Sequence, residues 1–210
     1  MIKLIVFDCD GVLFDSRRAN QEYYNHLLRH FKHPPMSEEE LEYAHMHNAL
    51  DAIRHIFRHY PDDSAEEIDT FRRKQGYEHV LPYMIMEEDL IEFLDRVKNH
   101  FHLAISTNRG NTMMPLLRTF KLEGYFTKVV TSEMARRPKP APDGLEEILE
   151  HFRCSPQETI FIGDSIIDAQ HAAACSVPLV AFKNSSLEAD YHVCSFMEIL
   201  TLAPLQNHLP

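Results

Sequence analysis

Two carboxylates, Asp8 and Asp10, stand one residue apart in the stretch Lys3-Leu4-Ile5-Val6-Phe7-Asp8-Cys9-Asp10-Gly11-Val12-Leu13-Phe14-Asp15-Ser16. Acids this close repel each other unless a shared proton or a cation relieves them, and a hard divalent ion such as Mg²⁺ suits oxygen donors. An isolated Asp-x-Asp also has a plain reading, as two solvated loop residues. The flanking sequence bears on the choice. Leu4 to Phe7 is an unbroken apolar run, too short for a helix and rich in strand formers, and predicts a buried central strand. The acids then sit where that strand stops, and Gly11 lets the backbone turn behind them. In open α/β sheets, ligands bind beyond the carboxyl ends of the strands.

Other polar residues fall at the ends of further predicted strands. His102 to Thr107 reads as a strand, followed by Asn108 and Arg109. Lys128 to Thr131 is another, and the loop after it carries Arg136-Arg137-Pro138-Lys139-Pro140-Ala141-Pro142. Thr159 to Ile162 ends in Gly163-Asp164-Ser165, with Asp168 beyond. Each has an ordinary alternative: Thr107 as a satisfied strand-end hydroxyl, Lys139 as a surface lysine, Asp164 as a helix cap beside Ser165. In a parallel sheet, however, these strand ends share one edge, so residues far apart in the chain can converge there.

The elements that must position them alternate. After Ser16 the texture is helical: Tyr24, Leu27, Leu28 and Phe31 recur at helical spacing until Pro34-Pro35. Asp15 and Ser16 are expected to end the loop and cap the first helix. Ser37 with Glu40, and Ser64 with Glu67, resemble capping boxes, and Leu50, Ile53, Ile56 and Phe57 form a further apolar stripe. An all-helical insert is therefore expected over residues 17–84, its end marked by Pro82. From Glu87 strands and helices alternate again. Leu90, Ile91, Leu94 and Val97 share a helix face; Asn111 is placed to cap the next helix; Leu145, Ile148, Leu149 and Phe152 mark another. Ala169, Ala172 and Ala173 give a small-faced helix, and Val177 to Phe182 and Val193 to Phe196 read as the fifth and sixth strands. The fold class is α/β, with a Rossmann-like parallel sheet covered on both faces, formed by residues 1–16 and 85–210.

Length and composition bound the function. A chain of 210 residues can bury one core plus a small accessory domain. Its 21 basic and 32 acidic side chains give a net charge of −11, which disfavours nucleic acid and anionic membranes as partners. A small anionic substrate remains compatible, because a local cation can outweigh the global field. Cys9, Cys154, Cys175 and Cys194 lack metal-ligand spacing and are expected to be free thiols in a reducing compartment. No signal-peptide pattern opens the sequence and no apolar run reaches membrane-spanning length, so a cytoplasmic location is expected. His45 and His47 are two apart on a helix and do not share a face, which argues against zinc there. None of the six glycines builds a Gly-x-Gly-x-x-Gly loop, so dinucleotide binding is excluded.

Taken in order, Asp8-Cys9-Asp10-Gly11-Val12, Ser106-Thr107-Asn108, Lys139 with its prolines, and Gly163-Asp164-Ser165-Ile166-Ile167-Asp168 resemble the four motifs of the haloacid dehalogenase (HAD) superfamily. The resemblance covers nearly the whole chain and is to the phosphatase-like members, of the phosphoglycolate phosphatase and β-phosphoglucomutase kind, with a helical cap inserted after the first strand. It implies a Mg²⁺-dependent phosphomonoester hydrolase of a small phosphorylated metabolite, phosphoglycolate or a sugar phosphate, working through an aspartyl-phosphate. Asp8 would be the nucleophile and Asp10 the general acid and base. Mg²⁺ would be held by an Asp8 carboxylate oxygen, the Asp10 carbonyl and Asp164. Thr107, the Asn108 backbone N–H and Lys139 would bind phosphate, and Asp168 would orient Lys139 or a metal-bound water. The insert, residues 17–84, would be the cap that excludes water and sets specificity. A dehalogenase needs no acid at position 10, so Asp10 argues against halide displacement. The alternatives are a β-phosphoglucomutase-like phosphotransferase using the same residues and a catalytically silent binding protein of the same fold. Arg109 either reaches an anionic group or forms a surface ion pair, and Arg136 and Arg137 are expected to be solvated.

Overall fold

The computed structural model describes residues 1–206. Six strands form one sheet: β1 (Leu4–Phe7), β4 (His102–Ser106), β5 (Lys128–Val130), β6 (Thr159–Gly163), β7 (Leu179–Phe182) and β8 (Tyr191–Val193). Their order is β5-β4-β1-β6-β7-β8 and every pairing is parallel. Two short strands, β2 (Phe14–Asp15) and β3 (Ile85–Met86), pair as a separate ribbon.

Leu4 to Phe7 are completely buried, as expected of a strand covered on both faces, whose sequence reads as a continuous apolar run rather than an alternation. On one face Leu4 and Val6 pack with Val130, Leu145, Ile148 and Phe161. On the other, Phe7 meets Phe126 edge-on at 5.6 Å and Phe93 at 6.2 Å. The covering helices are α5 (Leu90–Val97), α6 (Met113–Thr119), α7 (Asp143–Phe152), α8 (Ile166–Ala174), α9 (Phe196–Ile199) and α10 (Ala203–Gln206).

Strand order places the site. From β1 the chain fills positions on one side, β4 and then β5, before β6, β7 and β8 fill the other. The order reverses at β1, where a crevice opens beyond the carboxyl ends. Phe7 is in register with both Ile105 and Ile162. The next residue along each of these three strands, Asp8, Ser106 and Gly163, belongs to that edge.

Several boundaries differ from expectation for local reasons. The last strand is Tyr191–Val193 and Phe196 opens α9, because the Ser195 side chain accepts from the Glu198 N–H and starts a helix. Leu179, rather than Val177, begins β7. Asn111 caps nothing: α6 begins at Met113 behind Thr112, and the Met113 N–H bonds the Gly110 carbonyl.

Residues 15–85 form a second compact unit, apart from residues 1–14 and those from 86 onward. It contains α1 (Arg17–His30), α2 (Glu38–Met46), α3 (Ala49–Ile56), α4 (Ala65–Gln75) and a 3₁₀ turn over Glu78–Tyr83 that contains Pro82. Ser37 and Glu40 make a complete capping box, and the Asn48 side chain caps α3. Asp15 Oδ1 accepts from the Arg17 N–H at 3.2 Å, whereas the Ser16 side chain makes no cap bond. Leu50 falls in the exposed first turn of α3, and Ala52, Ile53 and Ile56 carry its buried face. Among the described residues, no helix is long and apolar enough to cross a membrane.

Candidate active site

The carboxyl edge gathers the residues singled out above. The Asp8 N–H donates to the Ile162 carbonyl at 2.9 Å, continuing the β1–β6 ladder one residue past the strand. The loop then folds back, with the Leu13 and Phe14 N–H groups both reaching the Cys9 carbonyl. Gly11 has φ +80°, and a Cβ there would fall 2.1 Å from Asp164 Oδ2. Only glycine therefore lets this turn lie against the Asp164 carboxylate.

Lys139 joins the acids. Its ammonium group, almost fully buried, lies 2.7 Å from Asp8 Oδ1 and 2.6 Å from Asp168 Oδ1. Asp8 Oδ1 has that ion pair but no hydrogen bond of ordinary geometry. The other oxygen of Asp168 accepts from the Asp164 and Ser165 N–H groups, both at 3.2 Å, and from the Ser165 hydroxyl at 2.7 Å. Asp168 thus closes a capping box on α8 while orienting Lys139. The Asn184 side chain donates to the Asp164 carbonyl at 2.8 Å and steadies that residue.

β4 supplies the facing groups. The Thr107 N–H bonds Val130 at 3.0 Å, the Arg109 N–H bonds Thr107 Oγ1 at 3.1 Å, and Asn108 Nδ2 donates to the Lys139 carbonyl at 3.1 Å. Arg109 is not at the surface: its side chain is 4% exposed and grips Asp10 through Nε at 3.1 Å and Nη2 at 2.5 Å. Its two donors match two carboxylate oxygens, a geometry that arginine's planar fork favours. Arg137 is exposed and pairs with Asp143 at 2.8 Å.

Charge is unbalanced here. Four acids, Asp8, Asp10, Asp164 and Asp168, face two cations, Lys139 and Arg109. If all are ionised, the excess is two negative charges. Burial chiefly, with Asp168 and Asp10 adding and Lys139 opposing, pushes the Asp8 carboxyl up to about 7. Burial, then the Asp168 and Asp8 charges, pushes Asp164 up to about 9. Burial opposes ionisation of Asp168 as well, but Lys139 and the Ser165 donors hold it below the usual carboxylate range. The Lys139 ammonium is raised in turn: burial pulls it down, and Asp168 and Asp8 overcome that. One lysine is shared between Asp168 and Asp8, and the four acids still outnumber the two cations. Oxygens of Asp8, Asp164 and Asp168 lie within 4.8 Å of one another. Hard oxygen donors with two surplus negative charges fit a divalent cation.

Sequence reasoning underrated Arg109 and missed Asn184, His171 and the Ser165 hydroxyl. The His171 signal was present, since that residue lies one helical turn beyond Asp168 and shares its face.

Comparison with known proteins finds relatives along most of the chain. The family model for haloacid dehalogenase-like hydrolases matches residues 5–182. A crystal structure of a HAD-superfamily hydrolase, subfamily IA, variant 1, from Geobacter sulfurreducens superposes with a TM-score of 0.83 at 35% identity, covering 96% of this chain and 99% of that one. A phosphoglycolate phosphatase of Chromobacterium violaceum is 26% identical over 96% of each chain. The pyrophosphatase PpaX of Bacillus mycoides is 24% identical, over 84% of this chain and 82% of its own.

Proposed function

Because the chain belongs to the haloacid dehalogenase-like hydrolase family, we propose that it is a Mg²⁺-dependent phosphatase of a small phosphomonoester, acting through a phosphorylated Asp8. The observation that carries this reading is the convergence of Asp8, Lys139, Asp164 and Asp168 at the carboxyl edge, with more negative charge than the protein neutralises.

An Asp8 carboxylate oxygen attacks phosphorus, the ester P–O bond breaks, and the alcohol departs with a proton from Asp10. A water then attacks the aspartyl-phosphate, passing its proton to Asp10; the P–O bond to Asp8 breaks and inorganic phosphate leaves. Lys139, the Thr107 hydroxyl and the Asn108 backbone N–H balance the charge on the transferring oxygens. Asp8, Asp164 and the Asp10 carbonyl would hold Mg²⁺, which when bound neutralises the repulsion between an anionic nucleophile and an anionic phosphate. Asp10 has both carboxylate oxygens held by Arg109. Its acid role requires Arg109 to release a carboxylate oxygen. The helical insert, residues 17–84, supplies none of these groups, and we assign to it the choice among esters.

Phosphate release is to be measured over a panel of phosphoglycolate, sugar phosphates and pyrophosphate, with Mg²⁺ and with a chelator. Mg²⁺-dependent release from a phosphomonoester supports the reading. Isomer formation without release would indicate transfer between hydroxyls, and a folded protein inert to the whole panel would refute the phosphatase.

A further inference from the structure

One face of α8 runs along the Lys139 loop. Asp168, His171 and Cys175 recur at spacings of three and four and so share that face. They meet the loop in sequence: Asp168 takes the Lys139 ammonium at 2.6 Å, His171 Nδ1 lies 2.7 Å from the Ala141 carbonyl, and Cys175 Sγ lies 3.7 Å from the Pro142 carbonyl. The other ring nitrogen of His171, Nε2, lies 2.9 Å from Ser106 Oγ. Ser106 immediately precedes Thr107.

The chemistry of the two partners settles the hydrogens. A carbonyl only accepts, so Nδ1 carries the hydrogen and donates to Ala141. In the neutral ring Nε2 then offers a lone pair to the Ser106 hydroxyl. The imidazole is fully buried, with Phe161 edge-on at 5.5 Å. Burial first, then the Lys139 charge, lowers its pKa to about 4, which keeps it neutral. Both bonds are thus made by one buried ring that spans two of the strand-end segments from a third.

Resting on the phosphatase reading, we propose that His171 is a positioning residue that ties the Lys139 loop to the end of β4, fixing Lys139 and Thr107 relative to one another. It bonds neither a reacting oxygen nor a metal-binding carboxylate, and it acts through the backbone on either side. Its loss would leave the buried Ser106 hydroxyl and the half-buried Ala141 carbonyl without these partners, so the loop would shift to recover them. Misplacing a charge-stabilising group by about 1 Å costs on the order of 10²-fold in rate.

The test is a double-mutant cycle on phosphate release from p-nitrophenyl phosphate with Mg²⁺, using His171→Leu, Lys139→Ala and the pair. In the wild-type background His171→Leu should lower kcat by about 10- to 100-fold with KM changed by less than about threefold. In the Lys139→Ala background it should cost little more, because the lysine it positions is gone. His171→Asn, whose amide can still donate to Ala141, should recover most of the loss. Should His171→Leu fail to fold, Ser106→Ala takes its place in the cycle, with His171→Asn measured beside it. Multiplicative losses across the cycle, or a folded His171→Leu or Ser106→Ala variant with wild-type kcat, would overturn the assignment while leaving the phosphatase reading intact. A wild-type protein inert to every phosphomonoester would instead remove the reading on which it rests.

Discussion

The carboxyl edge of the sheet and the helical insert bury polar groups in opposite ways. At the edge they are charges: Asp8, Lys139, Asp168 and Arg109 all lie inside, and the carboxylates outnumber the cations that balance them. In the insert, rings predominate. Tyr23 and Tyr77 are buried with ring centroids 5.7 Å apart, half-buried Tyr43 stacks between His47 at 3.8 Å and His55 at 4.0 Å, and the insert's buried charge, Arg72, is paired with Asp69 at 2.7 Å. Stacked rings cover apolar area with little desolvation cost, and the Arg72 charge is met by Asp69 within its own helix. Burying like charges together is unfavourable unless something offsets it. The difference separates polar residues that stabilise the fold from those retained at its expense, and the latter mark the site.

Substitutions can break or sharpen that contrast. The largest expected effect is on Asp8→Asn, which should lower turnover by about 10⁴-fold or more, the scale on which a covalent nucleophile acts. Because it removes one of the crowded carboxylates, the variant should unfold at a denaturant concentration no lower than the wild type. A marked loss of stability would place Asp8 among the structural residues instead.

Lys139→Ala should lower kcat by about 10² to 10³-fold. It should also destabilise the fold by about 3 kcal/mol, since Asp8 and Asp168 lose their shared partner. Kinetics and urea unfolding on one preparation check both, and an unchanged value of either would contradict the geometry.

His171 gives a smaller effect, set by pH. Its folded pKa of about 4 lies below the ordinary value of 6.5, so the unfolded chain binds a proton that the folded chain refuses. The histidine's contribution is therefore full above pH 6.5, falls as pH drops towards 4, and loses at most about 3 kcal/mol over that window. Compared with His171→Asn, the wild type should lose more stability between pH 7 and pH 4.5; parallel losses would contradict a neutral buried ring.

The smallest effect is in the insert. Ser37→Ala removes a capping box and should cost about 1 kcal/mol in urea unfolding while phosphate release at saturating substrate stays at the wild-type rate. A large fall in that rate would erase the contrast between the two regions.

Much of the edge was legible because its pattern is local. The apolar run Leu4–Phe7, the paired aspartates after it and the glycine that turns the chain all fall within a few residues, and sheet topology carries such strand ends to one edge. Arg109 was harder. Its burial depends on Asp10, which is remote in sequence, and nothing beside it distinguishes a clamp from a surface ion pair. His171 looks like a helix residue among alanines until the loop from Lys139 to Pro142 is laid along it. The end of the sheet was misread because Val193 to Phe196 is apolar enough for a strand while Ser195 and Glu198 supply a helix start, and capping prevailed over propensity. Nothing in the insert's sequence names a ligand: its helices are specified by stripes and caps, and neither encodes one.

The central claim concerns a bond on one carboxylate. An Asp10→Asn variant, which lacks the base of the second step, is to be mixed with p-nitrophenyl phosphate, whose leaving group departs without an acid, and Mg²⁺, quenched in acid and digested for mass spectrometry. The account expects one phosphoryl group on the peptide bearing Asp8, lost on treatment with hydroxylamine as an acyl phosphate should be. Single-turnover release of phosphate with Asp8 unmodified throughout, or the phosphoryl group on another residue, would contradict it.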